Sequence, residues 1–130
     1  MTDRATRPLL ILAGLFGAVA VACGAYASHG LPAVRDARAV ELWQTASQYQ
    51  LAHAAALLGL VAWRRHGGAD RLTALAGAAF ALGCLLFPGA LYLLGWFGPS
   101  ALGAVAPVGG VCFILGWLLL SAAGLRGLRS

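Results

Sequence analysis

The sequence predicts an all-α integral membrane protein: one domain, residues 1–130, folded as a bundle of four transmembrane helices. Three observations predict it. Apolar residues make up 61% of the chain and charged residues only 10%, and a soluble fold this small has too much surface to hide that much apolar area. The apolar residues collect in four runs, each long enough as helix to cross a hydrocarbon core about 30 Å thick. The nine cationic side chains, all arginine, stand at the ends of these runs.

The first run, 9–28, holds no charge and follows Arg4 and Arg7. Its basic start, apolar middle and Ala25-Tyr26-Ala27 also match a cleavable leader, and Ala20-Val21-Ala22-Cys23 is a weak lipobox look-alike. The run is read as a retained span. Gly30 and Pro32 end it. Residues 33–40 carry Arg35, Asp36 and Arg38 and read as a short interfacial helix or the start of helix two. The second run, 41–63, places Trp43 and Trp63 about 30 Å apart along a helix, the separation of two interfacial aromatic belts. Arg64 to Arg71 form a polar connection in which Gly67-Gly68 is a stop signal. The third run, 72–96, contains Pro88, which removes a backbone donor and predicts a kink. A Gly/Pro-rich turn follows at 95–100. The fourth run, 101–125, has Pro107 near its start, where proline is tolerated.

Arg4, Arg7, Arg64, Arg65, Arg71, Arg126 and Arg129 fall at one end of this up-and-down arrangement, and Arg35 and Arg38 at the other. Cationic residues favour the cytoplasmic side, so both termini are expected there. No basic face exists to neutralise phosphates, which argues against nucleic-acid binding. Cys23, Cys84 and Cys112 lie in apolar runs without a CxxC, so neither a disulfide framework nor a thiolate metal site is expected, and no cofactor is predicted. The sequence lacks GxSxG, HExxH, P-loop and GxGxxG patterns. Its four acids, Asp3, Asp36, Glu41 and Asp70, lie near interfaces or in the tail.

Small residues recur four apart at Ala20/Gly24/Ser28, Ala79/Gly83 and Ala106/Gly110. Such stripes permit close helix approach or homo-oligomerisation. Helix two holds the unusual residues. At about 100° per residue, Glu41, Gln44, Thr45 and Gln48 share one face, while Tyr49, Gln50 and His53 share the adjacent arc. Polar groups at membrane depth face the protein interior or a cavity, so helix two is expected to be the most enclosed or to line a wet cavity. In one reading His53, Gln50 or Gln48 satisfies the Cys84 carbonyl that Pro88 leaves without a donor. In another, Tyr26, His29, Glu41, Gln48 and Tyr92, with Gln50 and His53 deeper in, line a cavity open outward. A third gives His53 to haem. The 15 Å difference in depth between His29 and His53, about ten helical residues, disfavours a shared metal.

Four motifs carry a family resemblance. Gly24-Ala25-Tyr26-Ala27-Ser28-His29-Gly30-Leu31 is similar to GAxGAHGL, and Tyr49-Gln50 with His53-Ala54 to YQxxHA. Leu86-Phe87-Pro88-Gly89-Ala90-Leu91-Tyr92 is similar to LFSGSLY, and Pro107-Val108-Gly109-Gly110 with Gly116-Trp117 to PVGG…GW. Together, in this order over nearly the whole chain, they resemble the YgdD-like small inner-membrane proteins, a domain of unknown function. Pro88 and Ala90 replace the two hydroxyls of the third motif. The resemblance implies a four-helix protein of the bacterial inner membrane and no particular activity. By motif alignment His29, Gln50, His53, Tyr92, Gly109 and Gly110 are the positions of first interest.

The function expected is a non-enzymatic accessory or scaffold component, packed against lipid, a membrane complex or a second copy. Two alternatives stand beside it: a protein binding or transporting an amphipathic ligand such as lipid or quinone, and a haem or redox protein using His53. Gly24, Gly83, Gly109 and Gly110 are the expected helix-packing positions.

Overall fold

The computed structural model describes residues 4–127; Asp3 and Arg129 lie outside that range. The elements are α1 (Thr6–His29), α2 (Ala37–Trp63), α3 (Arg71–Phe97) and α4 (Val105–Gly127). Single turns of tight helix at Leu31–Ala33 and Ala101–Ala104 and a wide turn at Arg64–Gly68 connect them. No strand occurs among the described residues. Three stretches, Thr6–His29, Arg71–Phe97 and Ala101–Gly127, are long and apolar enough to cross a membrane. The 27 residues of α2 match them in length; Glu41, Gln44, Gln48, Gln50 and His53 lower its hydropathy.

Local chemistry sets the boundaries. The Asp36 side chain accepts the Ala39 N–H at 2.9 Å, so α2 begins at Ala37. Residues 37–40 are therefore its first turn, as in the reading of 33–40 as the start of helix two, and a separate turn at Leu31–Ala33 precedes it. The Asp70 carboxylate accepts Thr73 N–H at 2.8 Å while Thr73 Oγ1 accepts Asp70 N–H at 3.1 Å. This reciprocal capping box opens α3. Gly67 reverses the chain with φ of 97°, a conformation that favours glycine. Pro88 lies buried inside α3, whose helical run continues through it from Arg71 to Phe97.

The helices pack in chain order: α1 on α2, α2 on α3, α3 on α4, with a minor contact between α1 and α3. Thus α2 and α3 are central and α1 and α4 flank them. The main core joins Leu9, Ala13 and Phe16 of α1 to Ala54, Leu57, Leu60 and Val61 of α2. Ala76, Phe80 and Cys84 of α3 and Phe113 of α4 complete it. A second cluster of Ala46, Ala90, Leu91 and Ala106 lies toward the other end. The most enclosed helix is α3, not α2 as expected: α3 buries ten residues and α2 eight. One end of the bundle gathers Thr6, Arg64 and Asp70 and is called here the termini end. The opposite end gathers Tyr26, Trp43, Tyr92 and Trp96 and is called the aromatic end.

Three of the four expected packing glycines sit at close contacts. A Cβ on Gly24 would strike Ser47 Oγ, one on Gly83 the Phe113 ring, and one on Gly109 the backbone of Phe87. Gly110 differs: its Cβ would lie 4.0 Å from Phe87 Cδ2, an ordinary contact. Only a helix shift relieves a clash with backbone, so Gly109→Ala is expected to destabilise the α3–α4 pair by about 1–3 kcal/mol. Gly110→Ala is expected to stay within about 0.5 kcal/mol of the parent. Reversible denaturant unfolding in detergent micelles measures both, and equal losses would contradict the packing described.

Candidate functional site

The polar residues of α2 divide by direction. Gln50 and His53 are buried; Glu41, Gln44 and Gln48 are exposed. The expectation that both arcs point inward therefore holds for Gln50 and His53 only; Tyr49 of the same arc is exposed.

The inward arc is closed by aromatic donors and acceptors from α3 and α4. His53 Nδ1 lies 2.7 Å from the Tyr49 carbonyl, one turn earlier on the same helix. A carbonyl only accepts, so Nδ1 carries the proton. Nε2 is then the acceptor, and Trp117 Nε1 of α4 donates to it at 3.0 Å. The ring stacks on Phe113 at 3.6 Å between centroids. Nearer the aromatic end, Tyr92 Oη donates to Gln50 Oε1 at 2.8 Å and Trp43 Nε1 donates to the Tyr92 carbonyl at 2.9 Å. Ser47 Oγ donates to the Ala20 carbonyl of α1 at 2.8 Å. Among the described residues, no buried side-chain nitrogen or oxygen lacks a partner. None of these bonds reaches Cys84, so the expected pairing of its carbonyl with His53, Gln50 or Gln48 does not form.

The residues expected around an outward cavity are scattered. Tyr26 and Tyr92 both pack edge-on against Trp43, at 5.6 and 5.0 Å, so indole fills the space between them. His29 is exposed at the end of α1. Glu41 is exposed and pairs with Arg38 at 3.0 Å. Gln48 faces outward.

Sequence reasoning missed Arg64, which read as one of several topology charges. It is 5% exposed. Its Nη1 donates to Thr73 Oγ1 at 2.6 Å and to the Asp70 carbonyl at 3.0 Å, and its Nε donates to Thr6 Oγ1 at 3.3 Å. One guanidinium thus ties α1, α2 and α3 together at the termini end. Burial lowers its pKa, partly offset by Asp70. The Thr73 N–H holds the Asp70 carboxyl below the usual carboxylate range, with Arg126 and Arg64 adding to the effect. The available sequence signal was the Asp70-x-x-Thr73 spacing of a capping box beside an arginine.

Helix length, apolar lipid-facing residues and paired interior polar groups define a multi-helix integral membrane protein. A family model described as a protein of unknown function, DUF423, matches residues 23–110. The chain is 36% identical over 119 residues to a UPF0382 membrane protein of Staphylococcus epidermidis, covering 90% of this chain and 94% of that one. It is 35% identical over 122 residues to the UPF0382 membrane protein YwdK of Bacillus subtilis, covering 90% and 95%. It is 36% identical over 125 residues to the UPF0382 inner membrane protein YgdD of Escherichia coli, covering 93% and 92%. No solved structure matches the chain. The chain belongs to the DUF423 family of membrane proteins, for which no activity is assigned.

Two outcomes follow from the geometry. Tyr92→Phe leaves the buried Gln50 carbonyl oxygen without its donor and is expected to cost about 1–2 kcal/mol. Adding Gln50→Leu removes the orphaned group as well, so the double variant should recover part of that loss. A double-mutant cycle in micelles reads the coupling, and strict additivity would contradict the bond. Separately, the depressed Asp70 carboxyl contributes stability that is full above its unfolded pKa of about 4 and lost as pH falls through the lower folded value. Unfolding temperature should therefore fall below about pH 4 in the parent. It should fall less steeply in Asp70→Asn.

Proposed function

We propose that this protein is a non-enzymatic accessory or scaffold component whose exposed α1–α2 face receives a transmembrane helix of a partner or of a second copy. The supporting observation is the outward arc of α2. Gln44, Gln48, Leu51, Ala55 and Leu58 fall within about 80° of one another around the helix, and Gln44, Gln48, Leu51 and Leu58 are exposed. Beside them Leu10, Gly14 and Gly17 of α1 and Ala54, Ala55 and Leu58 of α2 line an apolar groove of about 320 Å³. A Cβ on Gly14 would meet nothing within 4 Å, so the groove floor is open. Small residues let a helix backbone approach closely, and side-chain amides bond across helix pairs. Acyl chains offer these carboxamides no hydrogen-bond partner.

The arginine distribution supports an orientation with the termini end in the cytoplasm. Arg4, Arg7, Arg64, Arg65, Arg71 and Arg126 sit there, against Arg35 and Arg38 at the aromatic end. The alternatives expected from sequence draw less support. Trp43 occupies the space between Tyr26 and Tyr92. The Nε2 lone pair of His53, which an axial haem ligand would supply, already accepts from Trp117.

A cysteine placed at Gln48 and crosslinked in native membranes should give an adduct of defined mass, and the same cysteine with Gln44→Leu should give less of it. Chains that stay monomeric and partner-free after mild extraction would refute the docking role.

A further inference from the structure

At the aromatic end lies a second surface feature, separate from the α1–α2 face. The first turn of α2 and the last turn of α3 enclose an open groove of about 620 Å³. Leu42 and Leu94 line its apolar side, Phe97 and Val34 flank it, and Arg35 and Arg38 supply positive charge. Phe97 is 77% exposed. Trp43 and Trp96 mark this level as a membrane–water interface.

The two arginines are not equivalent. Arg38 pairs with Glu41 at 3.0 Å in an exposed contact one turn along the helix. Arg35 has no carboxylate partner among the described residues. Its guanidinium carbon instead lies 4.1 Å over the Trp96 ring. Nε donates to the Trp96 carbonyl at 2.9 Å and Nη1 to the Val34 carbonyl at 2.8 Å. Two carbonyls and an indole face thus fix a planar cation whose charge is not neutralised. The remaining edge, with the Nη2 donors, keeps the fork geometry that matches phosphate oxygens. A cation already ordered loses little side-chain entropy on binding.

We propose that this groove is a phospholipid site: Arg35 binds the phosphodiester, and an acyl chain runs down over Leu42, Leu94 and Phe97 toward the membrane interior. The groove joins a fixed positive group at headgroup level to an apolar wall at chain level, which is the polarity of a lipid standing in its leaflet. Arg35, Arg38 and Asp36 give the lining one net positive charge, which Glu41, outside the lining, offsets through its pair with Arg38; among the described residues, Arg35 is the cation in the lining that no carboxylate contacts. The site is independent of the helix-docking role, since it lies between α2 and α3 and uses none of the α1–α2 face.

The test is native mass spectrometry of the full chain in a neutral maltoside detergent. The probes are phosphatidylglycerol, a diacylglycerol with the same chains, and inorganic phosphate. One phosphatidylglycerol should be retained. Diacylglycerol should not, and millimolar inorganic phosphate should not displace the lipid. Arg35→Gln should weaken retention about tenfold, the worth of one charge-assisted contact, while Arg65→Gln at the termini end should leave it unchanged. Phe97→Ser removes an exposed side chain without touching the core, so it should fold normally and still lower retention severalfold. If Arg35→Gln fails to fold, Phe97→Ser decides. Equal retention by the parent and Phe97→Ser, or by the parent and a folded Arg35→Gln, would overturn the proposal. So would equal binding of diacylglycerol. Displacement by inorganic phosphate would mark a site for the free anion and would also overturn it.

Discussion

Hydrocarbon offers no hydrogen bonds, so each polar group that a helix carries into the membrane must find its partner within the protein. In this fold α2 brings the most such groups, and the rotation of α2 about its own axis decides how they are met. With Gln50 and His53 inward, three aromatic side chains supply what is needed. Tyr92 and Trp117 donate to them, and Trp43 closes the carbonyl of Tyr92. Each of these residues joins a large apolar body to one polar tip; Trp43 and Tyr92 pack inside the bundle, whereas Trp117 reaches His53 from a half-exposed position on α4. Turning α2 by one residue, about 100°, would expose His53 and carry Gln44 and Gln48 to positions with no donor or acceptor prepared for them.

That rotation propagates to the neighbours. His53 stacks on Phe113 and bonds Trp117, which fixes α4 although α4 packs mainly on α3. The α3–α4 pair in turn depends on Gly109, whose missing side chain lets the backbones approach at Phe87. At the termini end the Arg64 guanidinium ties α1 and α3 to the turn that follows α2. The helices are thus pinned at both ends and in the middle. Because they pack in chain order, the outer sides of α1, α2 and α4 stay uncovered, so the molecule has more unpartnered face than a closed bundle.

Much of this was legible in the residues. Run length and arginine placement gave four helices, and the 100° spacing set Gln50 and His53 apart from Gln44 and Gln48, though it grouped the exposed Tyr49 with the buried pair. What spacing cannot give is which arc points inward, because that depends on donors located elsewhere in the chain. Trp117 lies in an apolar run and reads as bulk; only its seat opposite His53 makes it a donor. Tyr26 and Tyr92 were rightly drawn to the same end, but the space between them belongs to Trp43, whose reading as a belt residue hid its packing role. Arg64 looked like its neighbour Arg65 because both follow a span. Burial distinguishes them, and burial follows from Thr6 and Thr73, which are 67 positions apart. Of the two readings of residues 33–40, the start of helix two describes 37–40, and Asp36 sets that boundary because it is a better N-cap than an interior helix residue.

The distribution of satisfied and unsatisfied groups bears on where function resides. Interior polarity is fully used in holding the helices: each buried polar side-chain atom among the described residues has its partner. Chemistry at His53 would require breaking a bond that positions α4. The surface is different. Gln44 and Gln48 contribute nothing to the internal network, and at Gln48, about 7 Å inside the Trp43 level, an aliphatic side chain would serve a lipid-facing position better. Arg35 is held in place but not neutralised. A fold that needed only to stand in the bilayer has no use for either feature. Both concern what meets the outer face of α2 and its first turn. On the proposed reading a partner helix meets Gln48, and a lipid phosphate meets Arg35.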